Sequence, residues 1–404
     1  MDKQLILKEA QELQPMLLEI RRNLHQHPEV AFDLEYTKEF VWNKLVELEY
    51  EPQACGKAGI ITTVGGKKPG KCILLRADMD ALMMTEEADV EYKSLTEGKM
   101  HGCGHDMHTA MLLGAAKILK AHEDEIEGTI KLEFQPSEEN FQGSMDMLNN
   151  GLLENPKVDA AFMIHVIAGQ PMPSGVVLMP GGGISMASCE QYHITVKGKG
   201  GHGSTPNLAI DPITAAAQIH LALAEINSRE LDGNDYGVFT TCHFEAGQAS
   251  NVIPETAQMW GTIRTTDEDN KVGEYIKTRM TEICQGVAAA LRCEATVEFS
   301  DYCPCMKIDE ELAKDGMKYI SDLLGQGAID MSQFTGGKAG GGSEDFAFVS
   351  HEVPTMSMFL VTGSQADGYK YGQHNPKVCF DDSVLYVGSA VHVQMALNWL
   401  SEHK

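Results

Sequence analysis

The chain has 404 residues, 43% apolar and 22% charged, a water-soluble composition too long for one ordinary hydrophobic core, so roughly two to three domains are expected. With 32 basic residues against 58 acidic ones the net charge is −26, which argues against nucleic acid or an anionic membrane surface as partner, because binding there draws on clustered Lys and Arg. No apolar run reaches the about 18 residues of a membrane span, and no basic segment leading into an apolar stretch opens the chain; a cytoplasmic protein is expected. The ten cysteines lack the close, even spacing of a disulfide framework, so they read as thiols in a reducing compartment.

Residues 4–26 have the apolar spacing of a helix, with Leu5, Leu13, Leu17, Leu24 and their neighbours near one face. Pro28 ends it, and a second amphipathic stretch covers 35–48. His25 and His27 read as helix-end capping and packing residues. Cys72–Asp78 is a buried strand ending in Asp78-Met-Asp80.

Next comes Met100-His-Gly-Cys-Gly-His-Asp-Met-His-Thr-Ala110, dense in metal-ligating side chains. Cys103 and His105 flank Gly104, so on an extended segment both would leave on one side, just before a helix predicted from Thr109. A Cys-x-His pair is half of a metal site. Thr129–Gln135 is a strand running into Pro136-Ser-Glu-Glu139, a helix is predicted over 144–153, and the strand 158–164 ends on His165. Three strands thus carry acidic or imidazole groups to their C-terminal ends, the edge where open α/β sheets bind ligands.

The character changes around Met179–Gly183. Residues 192–196, 212–229, 238–244, 257–265, 271–291 and 294–299 read as strand, helix, strand, strand, helix, strand, the order of a ferredoxin-like unit of about a hundred residues. The expected organisation is therefore 1–184 and 301–404 as an α/β catalytic domain with a mostly parallel sheet flanked by helices, and 185–300 as an inserted ferredoxin-like α+β domain. The last part returns to a strand at 355–361 and a helix at 383–400, after a Gly-rich connection, Thr335–Ser343. Gly198-Lys-Gly-Gly-His-Gly203 fits a dinucleotide fingerprint, but Pro206 separates it from the helix at 212, leaving no helix N-terminus for a pyrophosphate. Cys303-Pro-Cys305 reads as structural.

Glu138 and Glu139 are neighbours, and neighbouring side chains on extended backbone point to opposite sides. One can ligate a metal while the other faces a bound water, the arrangement that metal-assisted hydrolysis needs. His165, after an apolar run, and His374, in the polar Tyr371-Gly-Gln-His-Asn-Pro376, are weak candidates alone. Taken with Cys103, His105 and Glu139 they outnumber the ligands of a single zinc and suffice for two ions sharing a site.

The segments Arg21–Glu29, Arg76-Ala-Asp-Met-Asp-Ala-Leu82, Met100–Ala110, Gln135–Glu139, Thr195–His202, Asn251-Val-Ile-Pro254, Gly261–Thr265 and Gly342-Ser-Glu-Asp-Phe346 resemble the marks of the M20 metallopeptidase family. The Cys-Gly-His-Asp-x-His motif points to its amidohydrolase branch, which holds aminoacylases, hippurate hydrolases and hydrolases of indole-acetyl amino acids. The resemblance implies a zinc-exopeptidase-like catalytic domain with the insert as a lid or dimerisation domain. It also implies two divalent ions per subunit (Zn2+ or Mn2+, with Co2+ or Ni2+ as further options) on Cys103, His105, Glu139, His165 and His374, with Glu138 as general base. His202 matches a residue that stabilises the oxyanion, often from a partner subunit, and Asn251 and Arg264 match positions touching the substrate's amide and carboxylate. Arg76 stands where other branches have a ligating His, which fits Cys103 as its replacement. Asn140-Phe-Gln-Gly143 and Val166-Ile-Ala-Gly169 depart from the family pattern beside the substrate pocket. The implied activity is cleavage of N-acyl L-amino acids by a homo-oligomer, dimer or tetramer; the alternative is a dipeptidase or carboxypeptidase on the same machinery.

Overall fold

The computed structural model describes residues 1–336 and 338–404. The expected connection Thr335–Ser343 contains Gly337, which lies outside the described residues. The chain forms two compact units, one of Met1–Ser185, Lys307–Lys338 and Asp345–Lys404, the other of Met186–Met306 and Ala339–Glu344. The second unit thus extends past the 185–300 segment and takes in six residues from far along the chain.

The first unit opens with α1 (Lys3–Glu12) and α2 (Gln14–Gln26) in place of one helix over 4–26, because Pro15 starts a new first turn where its missing N–H costs nothing. Then come α3 (Glu35–Glu47), β1 (Gln53–Cys55), β2 (Gly59–Gly65), β3 (Cys72–Asp78), α4 (His105–Ala121), β4 (Thr129–Gln135), α5 (Gly143–Asn149), β5 (Ala160–Ile167) and β6 (Val177–Met179). The short β7 (Gly183–Met186) precedes the second unit's β8 (Glu190–Lys197), β9 (Gly201–His202), α6 (Pro212–Glu225), β10 (Gly237–Ala246), β11 (Val252–Ile253), β12 (Thr256–Thr265), α7 (Lys271–Ala290) and β13 (Glu294–Phe299). After β14 (Met306–Ile308) the first unit resumes with α8 (Glu310–Leu324), β15 (Ala328–Asp330), the single turns α9 (Ser332–Thr335) and α10 (Ala347–Ser350), β16 (Thr355–Val361) and α11 (Leu385–Glu402).

The first unit's sheet runs β1-β2-β4-β3-β5-β16-β6-β15. The expected parallel sheet is its centre: β4, β3, β5 and β16 are parallel, whereas β2 on β4 and β6 on β16 are antiparallel, so the whole is mixed. Every residue of β3 is buried, as are most of those in α4 and α11, the burial that helix-covered parallel strands require. The second unit's sheet, β10-β12-β8-β13, is antiparallel throughout, the ferredoxin-like strand order. Its core packs Ile194, Val196 and Met259 against Ile219 and Leu223 of α6 and Ile276 and Met280 of α7.

Candidate metal centre

The C-terminal ends of β3, β4 and β5 lie side by side, and each carries polar side chains. α4 begins at His105, four residues earlier than expected, so His105 and His108 both sit in its first turn. Gly104 makes this entry possible: its φ is +98°, and an added Cβ would stand 2.3 Å from Val166 Cγ2. Cys103 and His105 therefore converge through a left-handed turn rather than along extended backbone. β5 continues to Ile167, which places His165 inside the strand opposite Phe359 of β16.

The ligand atoms of Cys103, His105 and His165 all lie within 4.8 Å of one another, and so do those of Cys103, Glu139 and His374. Cys103 belongs to both triads. Glu138, Glu139 and His105 form a third group of the same size. Two histidines are held from behind: His105 Nδ1–H donates to the Asp80 carbonyl at 2.8 Å and His165 Nδ1–H to the Val166 carbonyl at 2.6 Å. Each then presents an Nε2 lone pair, and His165 Nε2 lies 3.5 Å from Cys103 Sγ.

These donors fit a divalent cation. His105 Nε2 and Glu139 Oε1 are buried with no hydrogen-bond partner among the described residues, a costly arrangement unless an ion satisfies both. Burial raises the Cys103 thiol, and the Glu139 carboxylate raises it further, so a thiolate there requires a cation. His374 is pushed up to about 10 by hydrogen bonding to Cys103 and Glu139, with Nε2 at 3.4 Å from Glu139 Oε2. Its proton holds the place of a positive charge.

A buried network not foreseen from the sequence surrounds these groups. His108 lies within ligand distance of Asp78 and His105, but both its nitrogens are committed: Nδ1–H to Asp78 Oδ1 at 2.6 Å, and Nε2 accepting the Val166 N–H at 2.8 Å. It is a strut between α4, β3 and β5. Burial alone would raise the Asp78 carboxyl, yet Arg76, His105 and His108 hold it well below the usual range. Arg76 donates to Asp78 at 2.6 Å and Gln135 at 2.8 Å and pairs with Asp345 at 3.4 Å; Asp345 also accepts from Gln135 Nε2 and the Ser144 N–H. His27 caps its helix through the Asn23 carbonyl, as expected. His25, expected to do the same, instead bonds Asp106 at 2.8 Å and Glu86 at 3.2 Å, while Arg21 Nε meets Asp106 at 2.9 Å. The doubled acidic and basic residues at buried element ends were the available signal.

His202, Asn251 and Arg264 belong to the second unit. His202 is exposed on the β9–β11 ribbon opposite Val252, and its Nδ1 accepts from the Ser204 N–H at 3.1 Å and lies 2.7 Å from the Ser204 hydroxyl. The adjoining Asn251 is exposed, its carbonyl accepting the Gly203 N–H. Arg264, on β12, donates from Nη1 to Ser343 Oγ at 2.5 Å.

A profile of peptidase family M20/M25/M40 matches residues 74–398. The chain belongs to this family. Thermostable carboxypeptidase 2 of Saccharolobus solfataricus is 36% identical over 97% of each chain. IAA-amino acid hydrolase ILR1-like 2 of Arabidopsis thaliana is 35% identical over 96% of this chain and 85% of its own, which bears out the amidohydrolase branch. The crystal structure of Bacillus subtilis YXEP protein, a dinuclear metal-binding peptidase of the M20 family, superposes with a TM-score of 0.78 at 29% identity, covering 96% of this chain and 99% of its own. This M20 protein is a metal-dependent hydrolase with a mixed sheet flanked by helices.

Proposed function

We propose that the protein cleaves the amide of N-acyl L-amino acids, giving a carboxylate and a free amino acid. The observation that carries this reading is Cys103 at the corner shared by two ligand triads, with Glu138 beside them and 5% exposed. Cys103, His105, Glu139, His165 and His374 would hold two ions, Zn2+ or Mn2+, a donor set that also suits Co2+ or Ni2+. A divalent ion held there supplies a Lewis acid that polarises the amide carbonyl and lowers the pKa of water. Glu138 takes the proton of the attacking water and passes it to the leaving nitrogen. His202 donates to the carbonyl oxygen as it gains charge: its Nδ1 lone pair is engaged by the Ser204 N–H, so the ring proton sits on Nε2. Arg264 pairs with the substrate carboxylate, and Asn251 bonds the amide.

A second reading, a carboxypeptidase or dipeptidase, is favoured by the 36% identity to a carboxypeptidase. The two separate on N-acetyl amino acids and free dipeptides assayed on protein of measured metal content. Turnover of the first and not the second is expected, abolished by chelation and restored by Zn2+ or Mn2+; turnover of dipeptides alone would overturn the reading. Cys103→Ala should lower the metal content, because a thiolate ligand contributes to affinity.

No helix among the described residues is long and apolar enough to cross a membrane, and a cytoplasmic setting is proposed. The second unit is proposed to join copies of the chain. Ile213 and Leu221 of α6 are exposed, and so is Phe244 of β10, an edge strand whose Phe244 ring meets His220 of α6. Light scattering of the purified protein checks this, with a monomer the outcome that refutes it.

A further inference from the structure

Val166-Ile-Ala-Gly169, which departs from the family pattern, packs on the loop that carries His374. Gly169 has φ +70°, and a Cβ there would stand 3.0 Å from the Tyr371 carbonyl carbon and oxygen, so the two backbones meet where only a glycine fits. His374 itself has φ +61°, a left-handed conformation that a residue with a side chain keeps only when its surroundings enforce it. Two hydrogen bonds supply the enforcement. The His374 N–H donates to the carbonyl of Gly102, the residue before Cys103, at 3.0 Å. The Gln373 side-chain amide donates from Nε2 to the Val166 carbonyl at 2.5 Å, and that same oxygen accepts His165 Nδ1–H at 2.6 Å. Two donors, as many as a carbonyl has lone pairs, thus converge on one atom.

From this shared acceptor we infer that Gln373 is a positioning residue, which ties the His374 loop to the strand that carries His165 and so sets two ligands from different triads against one another. His165 belongs with Cys103 and His105, and His374 with Cys103 and Glu139. The inference rests on the reading of these five residues as ligands of two ions. His374 is the most exposed of the five, its side chain 57% accessible, so its ring depends on the backbone for direction. The His165 bond joins neighbours on one strand and survives any change at position 373, so loss of the Gln373 amide falls on the His374 side alone. A leucine at 373 has a similar shape and cannot donate. The Val166 oxygen would then keep its His165 donor, and no buried polar group would be orphaned. A glutamate there would set oxygen against oxygen.

The test titrates metal-free wild type, Gln373→Leu and Gln373→Glu with Co2+, by calorimetry and by visible absorption, and measures amide hydrogen exchange on the same metal-free preparations. In Gln373→Leu one of the two Co2+ affinities is expected to fall about 10–100-fold, the usual cost of losing a group that orients a ligand, while the other moves less than about threefold. The His374 amide should exchange at least about tenfold faster before any metal is added, with the amides of β5 at wild-type rates. With both sites filled by Zn2+, kcat on N-acetyl-L-methionine should return to within about threefold of wild type, because Gln373 touches no reacting atom. Gln373→Glu should show the same split, larger, and decides the matter if Gln373→Leu does not fold. Two unaltered affinities, equal weakening of both, or a His374 amide as protected as in wild type overturns the proposal. If the wild type binds fewer than two ions the reading of the five ligands fails separately, and exchange at the His374 amide still decides whether Gln373 holds the loop.

Discussion

In the first unit three of the five candidate ligands are held by a second group, His105 by Asp80, His165 by the Val166 carbonyl and Glu139, with its neighbour Glu138, by the Asp80 carboxylate, and the first turn of α4 is held by Asp106 with Arg21 and His25. On the second unit's ribbon His202 is exposed and is oriented by Ser204, two residues away. The difference separates a buried centre, where partners from several elements set the geometry before any ligand arrives, from an exposed imidazole oriented only by its own ribbon. Substitutions in the two regions should therefore fail in different ways.

The largest effect is expected at Glu138→Gln, which keeps the size but cannot accept a proton. A loss of about 10²–10⁴ in kcat with full metal content is predicted from steady-state kinetics and metal analysis, and equal loss of metal would make Glu138 a ligand instead. His202→Ala should cost about 10²–10³ in kcat, less in KM and nothing in metal, as removal of a transition-state donor does. Wild-type turnover in that variant would end the oxyanion role. Ser204→Ala removes the hydroxyl but keeps the backbone N–H that sets the tautomer, so a drop of only about threefold is expected. A drop as large as that of His202→Ala would show the hydroxyl, not the amide, to be in control.

The smallest effect bears on stability alone. His392 of α11 is fully buried without a hydrogen-bond partner among the described residues, and burial lowers it from 6.5 to about 3. The unfolded chain then binds the proton that the fold refuses, so this residue destabilises the fold progressively as pH falls from 6.5 towards about 3. In metal-free protein His392→Leu should lose less in thermal midpoint than wild type between neutral and acid pH. An unchanged difference would assign the acid sensitivity elsewhere, for instance to His101, which burial also lowers to about 3.

The sequence made the chemistry legible where it is dense or doubled. Cys103-Gly-His105 at a helix entry and Glu138-Glu139 after a strand end have few structural reasons to occur there, and the strands Thr129–Gln135, Glu294–Phe299 and Thr355–Val361 carry unbroken patterns that the structure repeats to the residue. The start of α4 was not legible, because Gly104 caps it without a side-chain hydrogen bond and acts through its positive φ. Partnerships across long separations were hidden for another reason. Nothing local to Asp106 names His25, and nothing in Gly340 announces that its carbonyl receives the Ala187 N–H and so takes the 339–344 segment into the second unit. Such pairings are set by topology, and periodicity along the chain does not report them.

Asp345 has a consequence for the order in which a ribosome-bound chain can mature. Gln135 and the Ser144 amide, both made early, find their shared acceptor only in a residue synthesised some two hundred positions later. Throughout that interval the contiguous stretch 186–306 emerges with its own core complete. The inserted unit has the contacts to fold while the sheet that surrounds it in sequence still waits for its last buried carboxylate.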